Sequence, residues 1–96
     1  MNPVLEPEIL AHNGGAADRW MLVIFNNAIT PFDAVIYTLM RATGCDESEA
    51  HMEAWEAHHF GKAPVHFDPD PESLEGPARM LNGIGVKTEI CPEFLP

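Results

Sequence analysis

Trp20-Met21-Leu22-Val23-Ile24-Phe25-Asn26-Asn27-Ala28-Ile29-Thr30-Pro31-Phe32 is the stretch that decides how this chain folds. Its first six residues are bulky, largely β-branched or aromatic, and stop at two asparagines, which suits a short buried strand. Thr30-Pro31 then opens a helix. The threonine side chain can accept from a free N–H at the helix start, proline's fixed φ suits the first turn, and Asp33 completes an acidic capping box. Phe32, Val35, Ile36, Leu39 and Met40 follow at i, i+3, i+4, i+7 and i+8, one face of that helix.

Working outward, Gly44 ends this helix and Asp46 starts a second, with Glu47 and Glu49 favouring its positive N-terminal end. The second helix runs to Phe60, where Gly61 supplies a left-handed stop. Pro64 to Phe67 reads as a short strand at a sheet edge, because a proline there has no N–H to give. Asp68 to Pro71 is a turn, and a third helix occupies part of 72–82, broken or restarted at Gly76-Pro77. Gly83 and Gly85 precede a last strand, Val86 to Cys91, which stops at Pro92. The order β-α-α-β-α-β predicts an α+β fold, a three-stranded sheet with three helices packed on one face. Residues 1–18 mix Pro, Gly, Asn and acids without periodicity and read as a flexible N-terminal extension. Residues 19–96 form the domain.

Composition narrows the function. The 96 residues suit one compact domain, and 46% apolar content is enough for a modest core. Fifteen acidic against five basic residues give a net charge of -10. This argues against nucleic acid, whose affinity comes from basic residues on phosphates, and against an anionic membrane surface. A basic protein surface or a cationic ligand group is the better-matched partner. No apolar run approaches the roughly 18 residues needed to span a bilayer, and the first residues lack the basic start and apolar core of a signal peptide. Cys45 and Cys91 are too few for a disulfide framework, so a cytoplasmic protein with reduced thiols is expected.

Enzyme signatures are missing: no glycine-rich phosphate loop, no His-Glu-x-x-His, no nucleophile elbow. Cys45 sits at a helix start, which favours a thiolate, yet no base is tied to it. His51 and His58 share a helical face but stand two turns, roughly 10 Å, apart, too far to share one ion. No metal and no cofactor are expected. The second helix carries alanines at 50, 54 and 57, spaced so that Ala54, Ala57 and His58 line one side. Small residues there allow close helix packing, and they can also leave a cavity beside the first helix. Asn26 and Asn27 at the strand end and His58 on the second helix would face that cavity, giving an apolar pocket with a few polar groups at its mouth.

The segment Val23 to Phe32 resembles the strand-to-helix stretch of the ClpS adaptors, where apolar residues lead into Asn-Asp-Asp and then Thr-Pro-Met. Ala57-His58-His59-Phe60-Gly61-Lys62-Ala63 is similar to the same family's helix end, Val-His-Tyr-x-Gly-Lys-Ala, and the two blocks align without a gap from Trp20 to Ala63. The resemblance implies a three-stranded antiparallel sheet with three helices. It also implies a non-enzymatic adaptor that binds hydrophobic N-terminal residues (N-degrons) of substrate proteins and delivers them to a Clp AAA+ unfoldase of the ClpA or ClpC type. By position, Asn26, Asn27 and His58 fall on the α-amino contacts, and Ile24, Thr30, Phe32, Val35, Ala54 and Ala57 fall around the side-chain pocket. Asn27 and Ala28 stand where the family pattern has two aspartates, and Phe32 and Ala54 where it has methionines. The alternative is a ClpS-like interaction or regulatory domain that has lost N-degron binding.

Overall fold

The computed structural model describes residues 5–9 and 19–93. Its central strand β2, Arg19–Phe25, is flanked by β3, Lys62–Asp68, and β4, Thr88–Glu93, both antiparallel to it. Three helices, α1 (Phe32–Thr43), α2 (Glu47–Phe60) and α3 (Glu75–Gly83), complete the expected α+β order. The core is the face of the sheet that carries Leu22, Ile24, Ala63, Val65 and Ile90. Against it pack Leu39 of α1, Ala50, Ala54 and Ala57 of α2, and Ala78 and Leu81 of α3. Because side chains alternate along a strand, Met21 and Phe25 fall on the opposite face, where Arg19 lies 4.5 Å over the Phe67 ring and Lys87 lies 4.9 Å over the Phe25 ring.

The sheet has four strands where three were expected. The additional strand β1, Glu8–Ile9, pairs in parallel with Glu89 and Ile90 and gives the order β1-β4-β2-β3. It supplies partners to the edge that β4 would otherwise expose. Two residues are too few to show any periodicity in sequence. They lie within the 1–18 extension; the rest of that expectation, at 1–4 and 10–18, falls outside the described residues.

Helix ends follow the sequence closely, with one exception. Gly44 (φ 76°) and Gly61 (φ 90°) are left-handed caps, and the Asp46 carboxylate accepts from Glu49 N at 2.8 Å. Thr30 does not cap α1. Pro31 stands at the N-cap, and the Thr30 hydroxyl donates instead to Ile84 O at 2.9 Å, a contact 54 residues distant. Gly76-Pro77 does not break α3, because both residues sit in its first turn, where a backbone N–H has no intrahelical partner to lose. A 3-10 turn, Pro71–Leu74, leads into it.

The last strand begins two residues later than expected, since Val86 N is engaged by Leu81 O at 3.1 Å in the turn that closes α3. It also runs past Pro92, because its register with β2 continues to Arg19, whose guanidinium holds both Glu93 oxygens at 2.7 and 2.8 Å. Asn82 Nδ2, buried, donates to Val86 O and Thr88 Oγ1, both at 3.0 Å, and so ties the end of α3 to β4.

Candidate functional site

The end of β2, the loop 26–31, the start of α1 and the middle of α2 enclose a cavity of about 240 Å³. Its apolar wall is built by Ile24 of β2, Val35 and Phe32 of α1, and Ala54 and Ala57 of α2. Ala54 and Ala57 are buried and contribute only methyl groups to this wall. Sites for drug-sized ligands run to roughly 300–1,000 Å³, so this one suits a single side chain. Thr30, Asn26, Asn27 and His58 stand around it, so all nine site residues expected from sequence line one cavity. Phe25, Ala28 and Val86 line it as well and were not anticipated. Val86 carried no signal, since it reaches the cavity from the far end of the chain only because the α3–β4 turn is pinned to the loop.

That pinning uses Asn27. Its Oδ1 accepts from Ile29 N at 2.8 Å and Thr30 N at 2.7 Å, and its Nδ2 donates to Gly85 O at 3.3 Å. Both acceptor positions of the carboxamide oxygen are thereby filled, so Asn27 shapes the loop rather than offering acceptors to a ligand. Asn26 differs: its backbone N–H donates to Gly61 O at 2.9 Å, while its side chain is exposed and has no partner among the described residues. His58, also exposed, is equally unengaged by hydrogen bonds among them. The Phe32 ring leans toward α2, with centroids 5.4 Å from His51 and 6.5 Å from His58, and so borders the mouth rather than filling it.

The loop depends on Gly85. Its φ is 91°, and a Cβ there would meet Thr30 Oγ1 at 3.2 Å. Gly85→Ala is expected to cost about 1–2 kcal/mol, from left-handed strain and from displacing the Thr30–Ile84 bond. A urea titration checks it, and an unchanged midpoint would mean that the loop is not held this way.

A second cluster joins the α1–α2 connection to α2. Ligating atoms of Cys45, Glu49 and Glu53 lie within 4.8 Å of one another, and Glu53 Oε1 is shielded from solvent without a hydrogen-bond partner. Burial, with the neighbouring Glu49 and Glu56 charges, pushes the Glu53 carboxyl up to about 8. Burial, together with the Glu53 and Glu49 charges, also raises the Cys45 thiol. The position at a helix start therefore does not favour a thiolate here, since burial first, and the acids beside it second, raise the thiol. No histidine takes part in a set of three or more possible metal ligands among the described residues.

The sequence model of the family described as ATP-dependent Clp protease adaptor protein ClpS matches residues 16–77, well over half of the chain. The chain belongs to the ClpS family. It is therefore an adaptor of the Clp protease, in a family whose members bridge substrates to the protease's chaperone and are not catalysts. The solved structure of ClpS2 from Agrobacterium tumefaciens bound to L-phenylalaninamide has the same fold. It matches with a TM-score of 0.72 over 80% of this chain and 99% of its own, at 20% identity. No curated protein matches the chain. Among the described residues of this ClpS family member, no helix is long and apolar enough to cross a membrane.

Proposed function

We propose that the cavity binds the bulky hydrophobic first residue of a substrate protein, and that the chain delivers that substrate to a Clp AAA+ unfoldase of the ClpA or ClpC type. The observation that carries this reading is the union, in one cavity the size of a side chain, of an apolar wall and two unengaged polar groups at its mouth. Removing a Phe or Leu side chain from water into such a wall contributes roughly 1.5–3 kcal/mol. Asn26 and His58 supply directional contacts to the backbone nitrogen of that residue, since a carboxamide oxygen and an imidazole nitrogen both accept hydrogen bonds. ClpS2 of A. tumefaciens, which shares the fold, holds an aromatic amino-acid amide of the class proposed here.

Fluorescence polarisation with labelled peptides that differ only in their first residue tests the reading. Peptides starting with Phe or Leu should bind, and one starting with Gly should not. The Asn26→Ala, His58→Ala double variant should bind the Phe peptide about 10- to 30-fold more weakly, the loss of two neutral hydrogen bonds. Equal binding by the variant would remove both residues from the site. Failure of every peptide to bind would leave the alternative, a ClpS-like interaction or regulatory domain.

A further inference from the structure

No carboxylate belongs to the lining of the cavity among the described residues. A free N-terminus at neutral pH is mostly an ammonium, with three donors and no acceptor. It must leave water to enter, and what repays this best is a carboxylate, because charge-assisted hydrogen bonds are about twice as strong as neutral ones. Here the acceptors on offer are neutral and few. The Asn27 oxygen is already saturated by Ile29 N and Thr30 N, which leaves the Asn26 oxygen, a His58 ring nitrogen and the Thr30 hydroxyl oxygen, whose own proton goes to Ile84 O. The Asn26 carboxamide presents its two N–H donors along with its oxygen, and an ammonium can use only the oxygen. The chain's net charge of -10 attracts cations in general, but only through a screened field that does not select one donor geometry.

An acylated N-terminus is the better complement. It carries no charge, and its capping carbonyl accepts while its amide N–H donates. A carboxamide and a neutral imidazole each offer both roles, so Asn26 and His58 can satisfy both halves of such a cap. There is also room for it. Ala28 lines the mouth with no more than a methyl group and is exposed, so it takes up little of the opening.

Resting on the proposed binding of a first residue, the geometry points to a site that takes Nα-acylated hydrophobic N-termini, formyl- or acetyl-capped, at least as tightly as free ones. The class of substrate is thus a protein whose α-amino group has been formylated or acetylated. The absence of a carboxylate from the mouth is the device that admits it.

The test uses the full chain and C-terminally labelled peptides identical except at the first nitrogen: free Phe, formyl-Phe, acetyl-Phe, and a Gly-Phe extension as control. The capped peptides are expected to bind about 3- to 10-fold more tightly than free Phe at pH 7, and the Gly-Phe peptide at least 10-fold more weakly than the capped ones. Ala28→Asp, an exposed substitution, should reverse the order by favouring the ammonium and crowding the cap. Tighter binding of free Phe than of both capped peptides by the wild type overturns the inference while leaving first-residue binding in place. Binding of Gly-Phe as tight as that of the capped peptides also overturns it, by showing an open groove rather than a cap site. Silence from all four peptides overturns the underlying reading and the inference together. An unchanged preference in a folded Ala28→Asp variant would displace the cap from Ala28 and overturn the placement. If that variant does not fold, the wild-type peptides still decide.

Discussion

Leu39→Ala should lower the stability of this protein by about 3 kcal/mol, a large part of the 5–15 kcal/mol that holds a typical small domain together. Leu39 is 0% exposed and stands on the inner face of α1, in the cluster that joins Leu22 and Ile24 of the sheet to the alanines of α2. Its truncation removes transfer energy and leaves a hole that close-packed neighbours cannot fill. At a urea dependence of about 1–3 kcal/mol per molar, the midpoint should fall by roughly 1–3 M. Tyr37, two residues earlier on the same helix and 60% exposed, is the control. Tyr37→Ala should change stability by less than about 0.5 kcal/mol. A loss at Leu39 no larger than at Tyr37 would show that α1 is not seated as described, and the cavity wall built by Val35 and Phe32 would go with it.

Stability should also fall as pH rises from 4.5 to about 8, because of Glu53. The sign follows from which state holds the proton. The carboxyl is raised from 4.5 when unfolded to about 8 when folded, so between those values the folded chain keeps a proton that the unfolded chain has released. Each pH unit in that window then favours unfolding, and the contribution is flat below 4.5 and above 8. A fully buried group would lose about 1.4 kcal/mol per unit. Glu53 is only partly buried, and solvent screening reduces the whole effect to about 2 kcal/mol.

Glu53→Gln keeps the shape and abolishes the titration. The variant should match the wild type near pH 5 and exceed it by about 2 kcal/mol at pH 8.5, read from urea midpoints at the two pH values. Every other group is common to the two proteins, so the difference between the two curves isolates Glu53. Parallel curves would mean that the Glu53 carboxyl ionises freely among Glu49, Glu56 and Cys45.

Much of the molecule was legible in the sequence because the signals were local. The Trp20 to Phe25 run, the face from Phe32 to Met40, and the caps at Gly44, Asp46 and Gly61 each reflect forces acting within a few residues. These features gave the strands and helices nearly in place. The resemblance, carried on Asn26, Thr30-Pro31 and His58 to Ala63, then set the site residues on two segments that turned out to enclose one cavity. What failed was the assignment of partners. Thr30 was a good candidate cap, yet its hydroxyl goes to Ile84; the Asn27 carboxamide, expected at the cavity and found lining it, also bonds the loop and Gly85, which no local signal showed. Gly76-Pro77 looked like a break, and only its position in the first turn of α3 makes it harmless.

By itself the sequence determined an acidic α+β domain, both ends of its second helix, and a strand-to-helix junction facing a helix of small residues. The tertiary structure alone decided the fourth strand, the entry of Val86 into the cavity, and the burial that holds a proton on Glu53. The physical reason is range. Propensity, capping and periodicity are settled between near neighbours, whereas a hydroxyl's partner, a cavity's far wall and a carboxyl's solvation depend on segments that only folding brings together.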